Sequence, residues 1–253
     1  MNLIWNDPAR KREWNRIDRS GVYVDMPAPS DVAPRESASP GRVEVGNYLA
    51  IVPHRGIVLC MARTREFDTE AAINAAMEVF RNTGYGGTSV RDLAEAMEIG
   101  SGSLYAAFGN KEGLYLAALD LYRRRYALPF IEMLRSGGDA RETVRSAFEA
   151  VIDEITRGPG QASCLIVGAA MERAHSDAQV AERLRTTTQL LELTLYEVIT
   201  EAQGRGEIAA DRSAADVAGF LVMTFQGLRV MGAINPDRAA LTRAAEVALH
   251  CLG

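Results

Sequence analysis

Cysteine and histidine are both scarce in this chain, with three of each in 253 residues. Cys60, Cys164 and Cys251 are widely spaced and odd in number. That excludes a disulfide framework and a clustered thiolate site, and makes a reducing cytoplasm the expected compartment. His54, His175 and His250 are equally scattered, with no carboxylate or thiol at ligand spacing, so neither a metal nor another cofactor is expected. RNTGYGGTS is glycine-rich, but it follows a helical pattern and lacks the Lys-Ser/Thr pair of a phosphate loop. An enzyme is therefore not expected. Basic residues are in deficit, with a formal net charge of −5. This argues against a surface given over wholly to nucleic acid, while leaving room for a small footprint. No run of 18 apolar residues occurs, so no bilayer span is expected. The opening MNLIWNDPARKREW lacks the apolar core of a signal peptide.

What is present is core-forming sequence, 47% hydrophobic and 24% charged. Residues 1–60 differ from the rest: MPAPSDVAPRESASPGR concentrates Pro, Ser, Ala and Gly without a period. They are expected to be disordered, or an over-extended start ahead of a physiological Met61. From about residue 66 the pattern is helical almost throughout. Ala72, Ile73, Ala76, Met77 and Phe80 make a first helix over 69–83, with Gly84 as its stop. Ser89 and Asp92 have the spacing of a capping box for a second helix, and residues 101–107 make a short third. A fourth starts near Lys111 and is expected to kink or end at Pro129. Further helices are expected over 141–156, in CLIVGAAMERAH, from Asp177 to about Gln203, over 214–234, and from Pro236 at a first helical position to Leu252. The expected class is all-α.

Two short helices joined by EIG, after a helix that completes a small core, have the form of a helix-turn-helix. Leu93, Ala94, Met97, Leu104 and Phe108 face that core, leaving Ser101, Ser103, Ala106 and Ala107 on a small-residue face suited to close approach. Short helix pairs also occur in ordinary bundles, so a helical scaffold or adaptor stays open on pattern alone. Residues 62–125 carry eight basic and nine acidic side chains, so any footprint there must come from arrangement.

The order of Phe80, Gly84-Tyr85, Thr88, Leu93-Ala94, Gly102, Leu104-Tyr105, Phe108 and Lys111-Glu112 resembles the DNA-binding domain of the TetR family of transcriptional repressors over residues 66–118. The resemblance implies a three-helix DNA-binding bundle over 61–112 and a larger helical effector-binding and dimerisation domain over 113–253. It implies a homodimer through the last two helices, double-stranded operator DNA as partner, and release of that DNA by a small-molecule effector. Carried onto this sequence, Ser101, Gly102 and Ser103 approach base edges, with Ala106 and Ala107 beside them. Tyr105 and Lys111 contact phosphates, and Thr88, Ser89 and Arg91 approach the backbone. Ala106-Ala107 stands where the family often has a large or basic side chain, so direct base readout is thin; Arg63-Thr64-Arg65 is a candidate to share it. An effector pocket is expected from Tyr126, Phe148, Ile152, Met171, Phe220 and Phe225, with His175 and Gln226 as polar anchors. Cys164, ahead of a short helix, is a candidate redox sensor. Arg123, Arg124 and Arg125 read as a solvated or interdomain face.

Overall fold

The computed structural model describes residues 67–157 and 164–253, and all regular structure among them is helical. The expectations for residues 1–60, for Arg63-Thr64-Arg65 and for the GPGQAS break at 158–163 lie outside the described residues. The first helix, α1 (Thr69–Thr83), starts where the Asp68 carboxylate accepts the N–H groups of Glu70 and Ala71. It stops where Gly84, at φ 72°, returns its N–H to the Phe80 carbonyl. Only glycine takes that left-handed backbone without strain. Ser89 and Asp92 close the capping box that opens α2 (Val90–Ala96). The Asp92 carboxyl lies below its ordinary range because it accepts the Ser89 N–H. Glu98, at φ 54°, makes the turn into α3 (Ser101–Phe108), the one non-glycine with positive φ among the described residues. Asn110 caps α4 (Lys111–Tyr122).

Pro129 was expected to end or kink α4. The α register of α4 does end ahead of it, at Tyr122, and a π segment, Arg123–Ala127, then leads into α5 (Leu128–Arg135), with Pro129 in its first turn. The wider π register absorbs the donor that proline cannot supply. Then come α6 (Ala140–Thr156), α7 (Leu165–Glu172), α8 (Ala178–Gly204), α9 (Ala214–Ile234) and α10 (Arg238–Leu249), with one 3-10 turn over His250–Leu252. The last helix does not begin at Pro236. Asp237 is its cap and accepts from Ala239 and Ala240, so proline stands outside the first turn.

Leu93, Met77 and Leu104 bring α1, α2 and α3 onto one buried cluster, which Leu114, Tyr115 and Ala118 of α4 complete. That cluster continues without a break into Leu165 and Ala169 of α7 and Val180 and Leu184 of α8. Residues 66–253 accordingly form one compact unit, and the core crosses the expected boundary at 112/113. Further along the chain α9 packs on α8 and α6, and α10 on α6. Phe225 is the hub there, against Phe130 at 5.4 Å and Phe148 at 4.4 Å between ring centroids.

Among the described residues one helix, α9, is long and apolar enough to cross a bilayer by length and composition alone, although Asp216, Gln226 and Arg229 interrupt its apolar run. Its residues alternate sides: Val217, Leu221, Phe225 and Leu228 are buried, while Met223, Met231 and Ile234 are 68%, 56% and 73% exposed. An apolar helix packed on one face only leaves an apolar stripe on the other. Gly227 is open on that stripe, whereas Gly232 is closed by Ile155 within the same chain.

Candidate nucleic-acid interface and effector cavity

Leu104 anchors α3 in the core at 0% exposure. Helical spacing then turns Ser101, Gly102, Ser103, Tyr105, Ala106 and Ala107 outward, and all six are exposed. Tyr105 stands at 49% exposure, a large value for an aromatic ring. Capping separates α3 from most of the other helices: α1, α2, α4, α6, α8, α9 and α10 each begin with a side chain accepting from their first turn, whereas α5 and α7, like α3, do not. Gly100 offers α3 no such acceptor. The first N–H groups of α3 therefore keep their donors for an outside acceptor, and the positive end of the helix dipole favours an anion there.

On the flank of α3, Ser89 and Arg91 are exposed, with the Ser89 hydroxyl taking the Asp92 N–H. Thr88 differs from its expected place. At 3% exposure its hydroxyl donates to the Gly84 carbonyl at 2.6 Å and meets the Thr83 hydroxyl at 2.7 Å. Its side chain locks the α1–α2 turn rather than facing outward. Lys111 is half-buried, donating to the Thr88 carbonyl at 2.7 Å with its ammonium 4.1 Å from the centre of the Tyr85 ring.

That turn is also held by α7, which packs against it. The Glu172 carboxylate, at the end of α7, accepts the Tyr85 N–H at 2.7 Å and the Gly86 N–H. A Cβ on Gly86 would lie 2.8 Å from the same carboxylate, so glycine there permits the approach. Arg173 lies 4.2 Å from the Tyr85 ring on a guanidinium paired with Asp177 at 2.7 Å. Val180 N–H and Arg173 together hold the Asp177 carboxyl below its ordinary range. Arg125, after α4, reaches Asn74 and Glu70 on α1 and so braces the same interface.

A cavity of about 280 Å³ opens between α1, α4, the π segment and α5 to α9. Tyr122, Tyr126 and Phe130 give it an aromatic wall. Arg81, Glu154, Gln226 and Arg229 give it polar ones. Glu154 lies 3.9 Å from Arg81 and 3.6 Å from Arg229. Cys164 borders the space and accepts the Tyr122 hydroxyl at 3.4 Å. Burial, with Cys164 adding to it, pushes the Tyr122 phenol well above its ordinary value, so the ring is a neutral donor.

The bacterial regulatory protein tetR family matches residues 72–118, and the tetracyclin repressor-like C-terminal domain matches residues 140–248. The E. coli HTH-type transcriptional repressor ComR is 30% identical over 169 residues, covering 66% of this chain and 80% of its own. The chain belongs to the TetR family of transcriptional regulators. An uncharacterised HTH-type regulator of Bacillus subtilis, YezE, is 29% identical across 76% of this chain and all of its own length. The TetR-family regulator CifR, solved on a 26-bp operator duplex, is 32% identical with a TM-score of 0.67, covering 75% of this chain and 99% of that one. As a TetR-family member the protein is a sequence-specific DNA-binding regulator, not an enzyme.

Against that TetR architecture the expected effector residues divide. Tyr126 and Gln226 line the cavity. Phe148 and Phe225 do not; they stack on each other in the core at 1% and 0% exposure. Ile152, together with one edge of Phe148, borders a smaller cleft toward α10. Met171 and His175 are exposed, and Phe220 lies on the open stripe of α9. An apolar stripe alone does not separate a cavity wall from packing, and this is why those residues scattered. Arg81, Glu154 and Arg229 were missed, although a lone arginine inside the apolar α9 is a readable signal of a built polar site.

Proposed function

We propose that the protein is a homodimeric repressor that binds a palindromic operator through α3 and releases it when a small molecule fills the cavity. The observation that carries this is the position of Arg81. It belongs to α1 of the DNA-binding bundle, yet its guanidinium lines a cavity otherwise built from the regulatory helices. Occupancy there acts directly on the helix that supports α2 and α3. Tyr105, Lys111, Ser89, Arg91 and the free α3 amides would serve phosphates, while Ser101, Gly102, Ser103 and Ala106 approach base edges. The Thr88 backbone carbonyl contributes by holding Lys111. The exposed stripe of α9, with α10, would pair with its counterpart in a second copy, since an apolar face of this kind gains from isologous burial. The operator-bound CifR and the repressor ComR support the DNA-binding half of this reading, and it places the protein in the cytoplasm with its operator.

Selection of duplexes from a randomised pool by the full-length protein tests it. Enrichment of one two-fold symmetric site is expected. A pool that stays random after repeated rounds would leave a helical scaffold as the better account.

A further inference from the structure

We infer that the cavity takes a small organic carboxylate, bound by Arg229 and reporting to the DNA-binding bundle through Arg81. This rests on the effector-cavity reading and names the ligand's chemical class.

Arg229 is the key group. Its side chain is only 13% exposed, and its Nε is buried with no hydrogen-bond partner. The nearest carboxylate oxygen, on Glu154, is 3.6 Å away, outside normal hydrogen-bond reach. Behind it stands the Phe130 ring, 5.6 Å from the guanidinium carbon. A guanidinium carries five donors in a rigid fork, and a largely buried one is ordinarily hydrogen-bonded. This one has a buried, unpartnered Nε on a side chain that lines the cavity.

Glu154 does not fill the deficit, because it is shared. It also lies 3.9 Å from Arg81, whose closer carboxylate is Glu78 at 3.1 Å. One internal carboxylate thus stands between two guanidiniums on different helices. A ligand carboxylate would bind the Arg229 fork in bidentate fashion, a geometry for which guanidinium is suited. It would also redistribute Glu154 toward Arg81, and so alter the charge environment of α1. Gln226 places a second polar anchor nearby, its Oε1 buried without a partner; amide rotation lets it present either a donor or an acceptor. Tyr122, Tyr126 and Phe130 supply a surface for an aryl or alkyl body. A cation meets repulsion from Arg81, Arg157 and Arg229 against the single carboxylate of Glu154. A neutral molecule leaves the Arg229 fork unfilled. The volume of about 280 Å³ lies at the lower edge of the ~300–1,000 Å³ usual for small-molecule pockets, so the body must be small.

The test is calorimetric titration of the full-length protein with 3-phenylpropionate and octanoate, each against its neutral amide and the corresponding primary amine. At least one acid is expected to bind about tenfold tighter than its amide, with the amines weakest. Arg229→Gln is expected to abolish the preference for acid over amide, and Arg229→Lys to retain only part of it. Glu154→Gln should tighten acid binding several-fold, because the competing internal carboxylate is gone. That gain also keeps the test decisive if Arg229→Gln fails to fold. Equal binding of acid and amide, preference for an amine, or no acid binding below about 10 mM overturns the carboxylate site. Titration in the presence of the selected operator separates the two levels. Acid binding without DNA release leaves the carboxylate site standing and removes induction, whereas intact operator binding with no acid binding removes the carboxylate site alone.

Discussion

Replacing Glu172 should loosen the DNA-binding bundle from the regulatory helices without touching either the α3 face or the cavity wall. In the intact protein its carboxylate accepts two backbone N–H groups of the α1–α2 turn, that of part-buried Tyr85 and that of exposed Gly86. Hydrogen bonds to a charged acceptor contribute about 1.5–3 kcal/mol each when shielded, and less when solvated. With one of the pair exposed, Glu172→Ala should cost about 2–3 kcal/mol in total. For a chain of this size that corresponds to a fall in Tm of roughly 4–12 °C. Glu172→Gln keeps one carbonyl acceptor and should lose about half as much. Gly86→Ala reaches the same contact from the other partner, since its Cβ would stand 2.8 Å from the carboxylate. The two lesions remove one interaction, so the double variant Glu172→Ala with Gly86→Ala should be less destabilised than the sum of the singles. Thermal denaturation followed by circular dichroism gives the stability, and anisotropy with the selected operator gives the coupling to DNA. Additive losses, or a Glu172→Ala Tm within about 1 °C of the parent, would refute the clasp as the link between the domains.

The other expected outcomes are shorter to state. Tyr105→Phe removes one exposed hydroxyl and should weaken operator binding about tenfold with Tm unchanged, whereas Lys111→Ala should lower both affinity and Tm, since its ammonium also holds Thr88 and Tyr85; anisotropy paired with melting separates them. Met223→Glu, placed on the open α9 stripe, should convert a sedimenting dimer to monomer at micromolar concentration, and unchanged sedimentation would move the interface elsewhere. Cys164→Ser should abolish operator release by a mild electrophile if the thiol beside Tyr122 is a sensor, while equal release in both proteins would eliminate that role. Asp92→Asn should flatten the acid limb of the stability profile. The folded carboxyl is held below its unfolded value by the Ser89 N–H, so its contribution is full above the unfolded pKa and is lost as pH falls through the folded one; urea titrations between about pH 2 and 5 measure it.

What could be read from the sequence is what is decided within a few residues. The Ser89–Asp92 box, the Gly84 stop and the burial of Leu93, Met97 and Leu104 all depend on spacings of three or four, and each appears in the fold as expected. Periodicity also located the long α8 to within a residue of its end at Gly204. Thr88 was harder, since a small hydroxyl beside a cap suits a phosphate as well as it suits a turn. Only the approach of the Thr83 hydroxyl and Gly84 carbonyl turns it inward. Glu172 had no local signal at all, because the amides that define its role lie 86 and 87 residues away. Phe148 and Phe225 illustrate the same limit for apolar groups: both have the pattern of a pocket wall, and a ring contact across two helices makes them core instead. Arg229 marks the other extreme. A lone arginine deep in an apolar helix of 21 residues, whose one other charge is Asp216 in the first turn, is costly unless the fold supplies it a purpose, and here the space beside it, the unpartnered Nε and the distant α1 arginine all meet at one cavity.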